Sequence, residues 1–261
     1  MPKMYNGKGE IIEARLYKDL ADMGGLPRVS EIAKILPNPQ LERWKIDKAL
    51  EVGSYEGLMD FVEEKADGGT DIHEFIENID IGKTRHPSIK DEVCDTIVHE
   101  YRTFMNDLSK DGWQNWKEEY VVVEPRCYGY AGRSDKIMRK VGGGGETHYY
   151  EYLIIDWKTQ DVKKKPEFYD NYIFQQSAYG YAVAGDLDLV DCVTMVIDRS
   201  TGKFYRKDYT QREIFDAFKA FKACHLLYCY TKNYDIEKVL RLYASTSDAP
   251  GGEIPPVIKG T

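Results

Sequence analysis

Apolar positions recur three and four residues apart through the first 110 residues, then two apart or in unbroken runs through the stretch that follows. Leu41 and Trp44, then Ile46, Ala49 and Leu50, carry helical spacing in LERWKIDKALEVG. Ile72, Phe75, Ile76 and Ile79 do so in DIHEFIENI, and Ile89, Val93, Ile97, Tyr101 and Met105 predict a further amphipathic helix after Pro87. Ser30 is expected to cap EIAKIL, which Pro37 closes. The cluster Gly68, Gly69 and Thr70 predicts a break between one helical part and the next.

The texture changes at Tyr120. YVVVEPRCYGYAGRSDKIMRKV and THYYEYLIIDWKT are rich in β-branched and aromatic residues, and predict a hairpin of long strands joined through Gly142 to Gly145. No GK[ST] follows those glycines, so they read as a hairpin tip and not a phosphate loop. A helix is expected from about Asn171 to Gly185, a second hairpin turning at Ser200, Thr201 and Gly202, and a final helix over REIFDAFKAFKACHLLYCY. This order predicts an α/β fold with a mixed central sheet flanked by helices. The organisation is a helical N-terminal region over 1–110, a core over 111–244, and a tail over 245–261 that lacks periodicity and is expected to be disordered.

The chain has 261 residues, 42% of them hydrophobic, enough for a sizeable core. Its formal charge of −8 argues against a general basic coat, but does not exclude a local nucleic-acid groove. The five cysteines form no CxxC pair and no usual zinc spacing. An odd count without a secretory signal, and no apolar run near the ~20 residues that span a bilayer, lead to the expectation of a soluble, cytoplasmic protein with reduced thiols and no membrane partner.

Within YEYLIIDWKT, Asp156 and Lys158 project from the same side of a strand, ~7 Å apart along the backbone. A carboxylate able to hold a divalent ion beside a fixed cation suits phosphodiester hydrolysis. A hairpin register centred near Gly145 and Glu146 would bring Asp135 opposite Asp156, making a hard-oxygen site for Mg²⁺ or Mn²⁺. A one-residue slip would separate the two. Gln175 and Tyr179 share one helical face, as do His73 and Glu77. A neutral His73 beside two carboxylates would be a third ligand and would favour Mn²⁺. The bland readings are a solvated strand end for Asp156 and Lys158, a satisfied surface or core residue for His73, and packing plus a surface amide for Gln175 and Tyr179.

The ordered set GTDIHEFIE, GYAGRSD, IIDWK and QQSAY resembles the PD-(D/E)XK nuclease superfamily, specifically its RecB-like exonuclease branch, and is similar to phage exonucleases and the mitochondrial genome maintenance exonuclease. The likeness covers about residues 30–230. It implies a restriction-endonuclease-like core, metal binding by His73, Asp135, Asp156 and the backbone carbonyl of Trp157, and a catalytic Lys158. Gln175 and Tyr179 match the family's QxxxY helix. Glu77, Arg133, Lys163, Lys164 and Lys165 are expected to contact substrate, and Glu124 is either an additional acidic position or a solvent-facing strand carboxylate. Ser134 stands where the family often has Pro, and the scattered cysteines do not match the family's four-thiolate pattern, so no iron–sulfur cluster is expected.

The function implied is a Mg²⁺- or Mn²⁺-dependent DNA exonuclease acting on single-stranded ends or flaps in phage or prokaryotic replication, recombination or repair, with a replication or recombination protein as a further partner. The alternatives are an endonuclease of the same superfamily and a non-catalytic DNA-binding scaffold.

Overall fold

The computed structural model of the protein describes residues 1–37, 39–142, 147–245 and 258–259. Strands β1 (Lys3–Tyr5) and β2 (Ile11–Glu13) pair in a small antiparallel hairpin, followed by helices α1 (Tyr17–Asp22), α2 (Val29–Ala33), α3 (Pro39–Val52), α4 (Tyr55–Ile79) and α5 (Asp91–Lys110). Then come β3 (Gln114–Glu124), β4 (Tyr130–Gly142), β5 (Thr147–Gln160), α6 (Asp170–Ala184), β6 (Val190–Asp198), β7 (Phe204–Asp208), α7 (Gln211–Lys232), α8 (Ile236–Ser245) and the two-residue strand β8 (Ile258–Lys259). The main sheet runs β3-β4-β5-β6-β7, with β8 on the start of β5. Its β5–β6 step is parallel, with α6 lying between the two in sequence, and the other steps along that path are antiparallel. The protein is therefore a mixed α/β fold with helices flanking a mixed sheet, as its patterning predicts.

Alternation along β5 divides the interior in two. Tyr152 and Ile154 pack into a core shared with α2, α6 and α7, while Leu153, Ile155 and Trp157 pack into a second core built with α4 and α5. A strand covered on both faces reads as an unbroken apolar run, which accounts for YLII in the sequence. Asp156 and Lys158 lie where the first core's side of that strand gives out.

Several boundaries differ from the sequence expectation. The glycine cluster at 68–70 does not break a helix, because α4 continues through it to Ile79. A Cβ on Gly69 would stand 2.9 Å from Thr159 Oγ1. That glycine marks a close approach of helix to strand, and the apolar face beyond it holds the helix together despite the weak propensity of glycine. The long strand expected from Tyr120 is two strands, β3 and β4, and β3 begins earlier, at Gln114. The turn between them closes on Glu124, whose Oε1 accepts from the N–H groups of Arg126 (3.2 Å) and Cys127 (2.9 Å) and whose Oε2 accepts from Tyr128 (2.7 Å) and Gly129 (3.2 Å). Glu124 is thus buried and structural, neither solvent-facing nor a site acid. Ser30 lies inside α2, whose N-cap is Arg28. The N-terminal hairpin had no signal beyond two short apolar pairs. α6 ends as expected at Gly185, which takes φ 72° in the left-handed region. The expected glycine hairpin tip at 143–145 and most of the expected disordered tail lie outside the described residues. No described helix is long and apolar enough to cross a membrane.

Candidate active site

The β4–β5 register runs from Gly142 opposite Tyr149 to Lys136 opposite Ile155. That register is centred between residues 145 and 146, as expected, and the recorded pairing ends one step short of Asp135 and Asp156. Asp135 Oδ2 accepts a hydrogen bond from the Trp157 N–H at 2.8 Å. Trp157 is itself fixed by the rings of Tyr101, Phe104 and Phe204 around its side chain.

Asp156 is 4% exposed. Lys158 Nζ donates to its Oδ1 at 2.7 Å, whereas its Oδ2 is buried with no hydrogen-bond partner. Burial pushes the Asp156 carboxyl up to about 6, against the pull of Lys158 and with Asp135 adding to the rise. Asp135 is raised as well, by burial first, with Lys158 and the Trp157 N–H opposing. Burial disfavours the Lys158 ammonium, but Asp156 and Asp135 outweigh it and hold its pKa above the usual lysine range. The ring of Tyr172, in the first turn of α6, stands 5.4 Å from Lys158 Nζ.

Asp135, Trp157 and Lys158 open onto a cleft of about 550 Å³, lined also by Gly69, Thr70, His73, Glu74 and Glu77 from α4 and by Glu119, Arg133 and Thr159 from the sheet; the buried Asp156 does not line it. Ile72, Phe75, Ile76 and Ile79 turn into the second core. The 3.6-residue period therefore leaves His73 and Glu77 toward the cleft. Burial, then Lys158, lowers the His73 pKa against Asp156 and Glu77, which favours the neutral imidazole.

Glu119 is the residue that the sequence reading missed. Glu118 pairs with Lys136 and Tyr120 with Ser134, so Glu119 stands opposite Asp135. The row across β3, β4 and β5 thus holds Glu119, Asp135 and Asp156. Glu119 takes φ 45°, left-handed backbone that is rare for a residue with a side chain, in a strand whose register also shifts between Asn115 and Lys117. Arg133 Nε lies 2.7 Å from its Oε2 in an ion pair. Burial, with Asp135 and Glu77 close by, pushes the Glu119 carboxyl up to about 8 against the guanidinium of Arg133. No periodicity signals such a residue, because an irregular backbone sets its direction.

Of the other expected residues, Gln175 and Tyr179 are buried behind the cleft and do not line it. Tyr179 packs on Gly132, where a Cβ would lie 2.8 Å from its Cε1. That contact joins the GYAGRSD strand to the QQSAY helix. Lys163, Lys164 and Lys165 are exposed in the loop after β5 and none lines the cleft. Lys163 lies close enough to Glu51 of α3 to help Lys48 hold that carboxyl low.

The donors His73, Asp135 and Asp156 suit Mg²⁺ or Mn²⁺ in kind, oxygens with one imidazole, and the partnerless Asp156 Oδ2 is the sort of buried acceptor a cation satisfies. Among the described residues, no group of three or more His, Cys, Asp or Glu side chains stands at metal-holding geometry. The structure brings His73 and Asp135 to one cleft and leaves Asp156 buried beside it, with Lys158 on Asp156 Oδ1.

No family model matches the chain, and no curated protein matches it. Among solved structures, one described as "Crystal structure of SSO0001" matches at 11% identity, over 74% of this chain and 73% of that chain, with a TM-score of 0.34. A likeness of that degree carries no argument.

Proposed function

We propose that this protein is a Mg²⁺- or Mn²⁺-dependent DNA exonuclease that hydrolyses phosphodiester bonds by direct attack of water. One observation carries the reading: Lys158 on one Asp156 oxygen and the other oxygen buried and unpartnered, beside Asp135, whose carboxylate takes the Trp157 N–H. A buried acceptor without a donor is costly in a purely structural role, and a divalent cation would relieve two neighbouring carboxyls whose pKa values burial raises.

In this reading His73, Asp135, Asp156 and the Trp157 carbonyl hold the metal. A bound divalent ion supplies Lewis acidity toward the phosphate and lowers the pKa of bound water. Lys158, tethered between Asp156 and the Tyr172 ring, orients the attacking water and offsets charge developing on the phosphate. Arg133 binds a backbone phosphate at the mouth of the cleft. Gln175 and Tyr179 support the active strand from behind, and Tyr179 sets the spacing of α6 from β4. Single-stranded ends or flaps are the substrate proposed, in replication, recombination or repair.

The test compares wild type with Lys158→Ala on single-stranded oligonucleotides labelled at either end, in Mg²⁺, Mn²⁺ or EDTA. Metal-dependent degradation lost in the variant supports the assignment and gives the polarity. Equal degradation by both proteins removes Lys158 from the chemistry and the assignment with it. Closed circular single strands separate the exonuclease from an endonuclease, which would cut them.

A further inference from the structure

Arg133 lies two residues before Asp135 on β4, on the same side of that strand, and its side chain is 61% exposed at the cleft mouth. Its partner Glu119 is the more buried of the two, at 23%, and reaches it from β3 through a backbone conformation that disfavours any residue but glycine. Strained residues persist where the surrounding structure enforces them, and they cluster at sites that use the geometry.

We propose that Glu119 is a positioning residue for Arg133: by its ion pair with Nε, it anchors the guanidinium so that the terminal nitrogens are presented to a phosphate of a DNA strand entering the cleft. This rests on the nuclease reading for the cleft's ligand and goes beyond it in giving Glu119 a role. Glu119 Oε2 lies against Nε and leaves the two terminal nitrogens for a bidentate phosphate contact, so the pairing pre-organises those donors.

The chemistry makes an unusual demand on experiment. Removing an acidic side chain from a DNA-binding cleft ordinarily strengthens binding, because repulsion falls. Positioning requires the reverse. Affinity for a fluorescent single-stranded oligonucleotide is measured by anisotropy with Ca²⁺ in place of Mg²⁺ or Mn²⁺, strand integrity being checked on a gel. Arg133→Ala is expected to weaken binding about tenfold, and Glu119→Ala to weaken it nearly as much. Glu119→Gln, which keeps the acceptor oxygen, should stay close to wild type, and Glu119→Ala combined with Arg133→Ala should be no weaker than Arg133→Ala alone.

Unchanged or tighter binding by Glu119→Ala overturns the proposal. So does a Glu119→Ala protein that keeps its affinity but needs more Mn²⁺ for activity, since Glu119 would then be an ion ligand. Absence of DNA binding by wild type overturns it together with the nuclease reading. Failure of the Lys158→Ala assay alone, with the binding pattern intact, sinks the nuclease reading and leaves the phosphate clamp standing.

Discussion

Lys136 brings a full charge into the interior at 3% exposure. Its Nζ is held by Asp80 Oδ2 at 3.0 Å, by the Tyr101 hydroxyl at 2.9 Å, and by Glu118. Lys136→Met keeps the apolar stem and deletes the cation, leaving two carboxylates side by side. Removing one partner of a fully buried ion pair costs ~3–5 kcal/mol. The Asp80 and Glu118 side chains retain 34% and 39% exposure, so water screens what remains, and about half that cost, ~2 kcal/mol, is expected. For a chain of 261 residues, this corresponds to a fall in Tm of ~4–8 °C in a circular-dichroism melt. Asp80 is the C-cap of α4, so the loss should also loosen the wall that carries His73 and Glu77. Adding Asp80→Asn to Lys136→Met removes one orphaned charge and should recover part of the loss. A fall under ~1 °C, or a further loss in the double variant, would refute this account of the network.

Other variants probe different forces. His225 is 5% exposed, and burial lowers its pKa from 6.5 to about 4. The unfolded chain therefore takes up the proton first, and stability present above pH 6.5 drains away as pH falls toward 4, by ~3 kcal/mol in all. Urea titrations of wild type and His225→Leu should diverge over that window, and identical pH slopes would exclude the mechanism. Gly132→Ala places a Cβ 2.8 Å from Tyr179 Cε1 and 3.1 Å from Val29 Cβ, an overpacking worth ~1–3 kcal/mol in chemical denaturation; a stability equal to wild type would show that α6 can yield. Glu124→Ala strips the acceptor from four N–H groups and should cost ~2 kcal/mol, with early hydrogen exchange at residues 126–129 as its local signature; unchanged protection there would remove Glu124 from the turn.

The sequence by itself determined the sheet-and-helix order, the amphipathic faces of α4 and α5, and the alternation that sets Asp156 and Lys158 on one side of β5. These are local properties, fixed by side-chain period and strand pleat. It also determined the register of β4 on β5, since a hairpin's register follows from where its turn is centred. Tertiary structure alone decided what the glycines and isolated acids do. Gly69 looked like a helix break because propensity is local, whereas its use is to admit Thr159 across the gap between α4 and β5. Glu124 and Glu119 are both strand glutamates in the sequence. One is consumed by four backbone donors in a turn, and the other is aimed into the cleft by a φ of 45°. The path of the lysines at 163–165 past the cleft was likewise hidden, because proximity in sequence to Lys158 does not survive the end of a strand. Side-chain direction at irregular backbone depends on packing from distant segments, which no periodic pattern records.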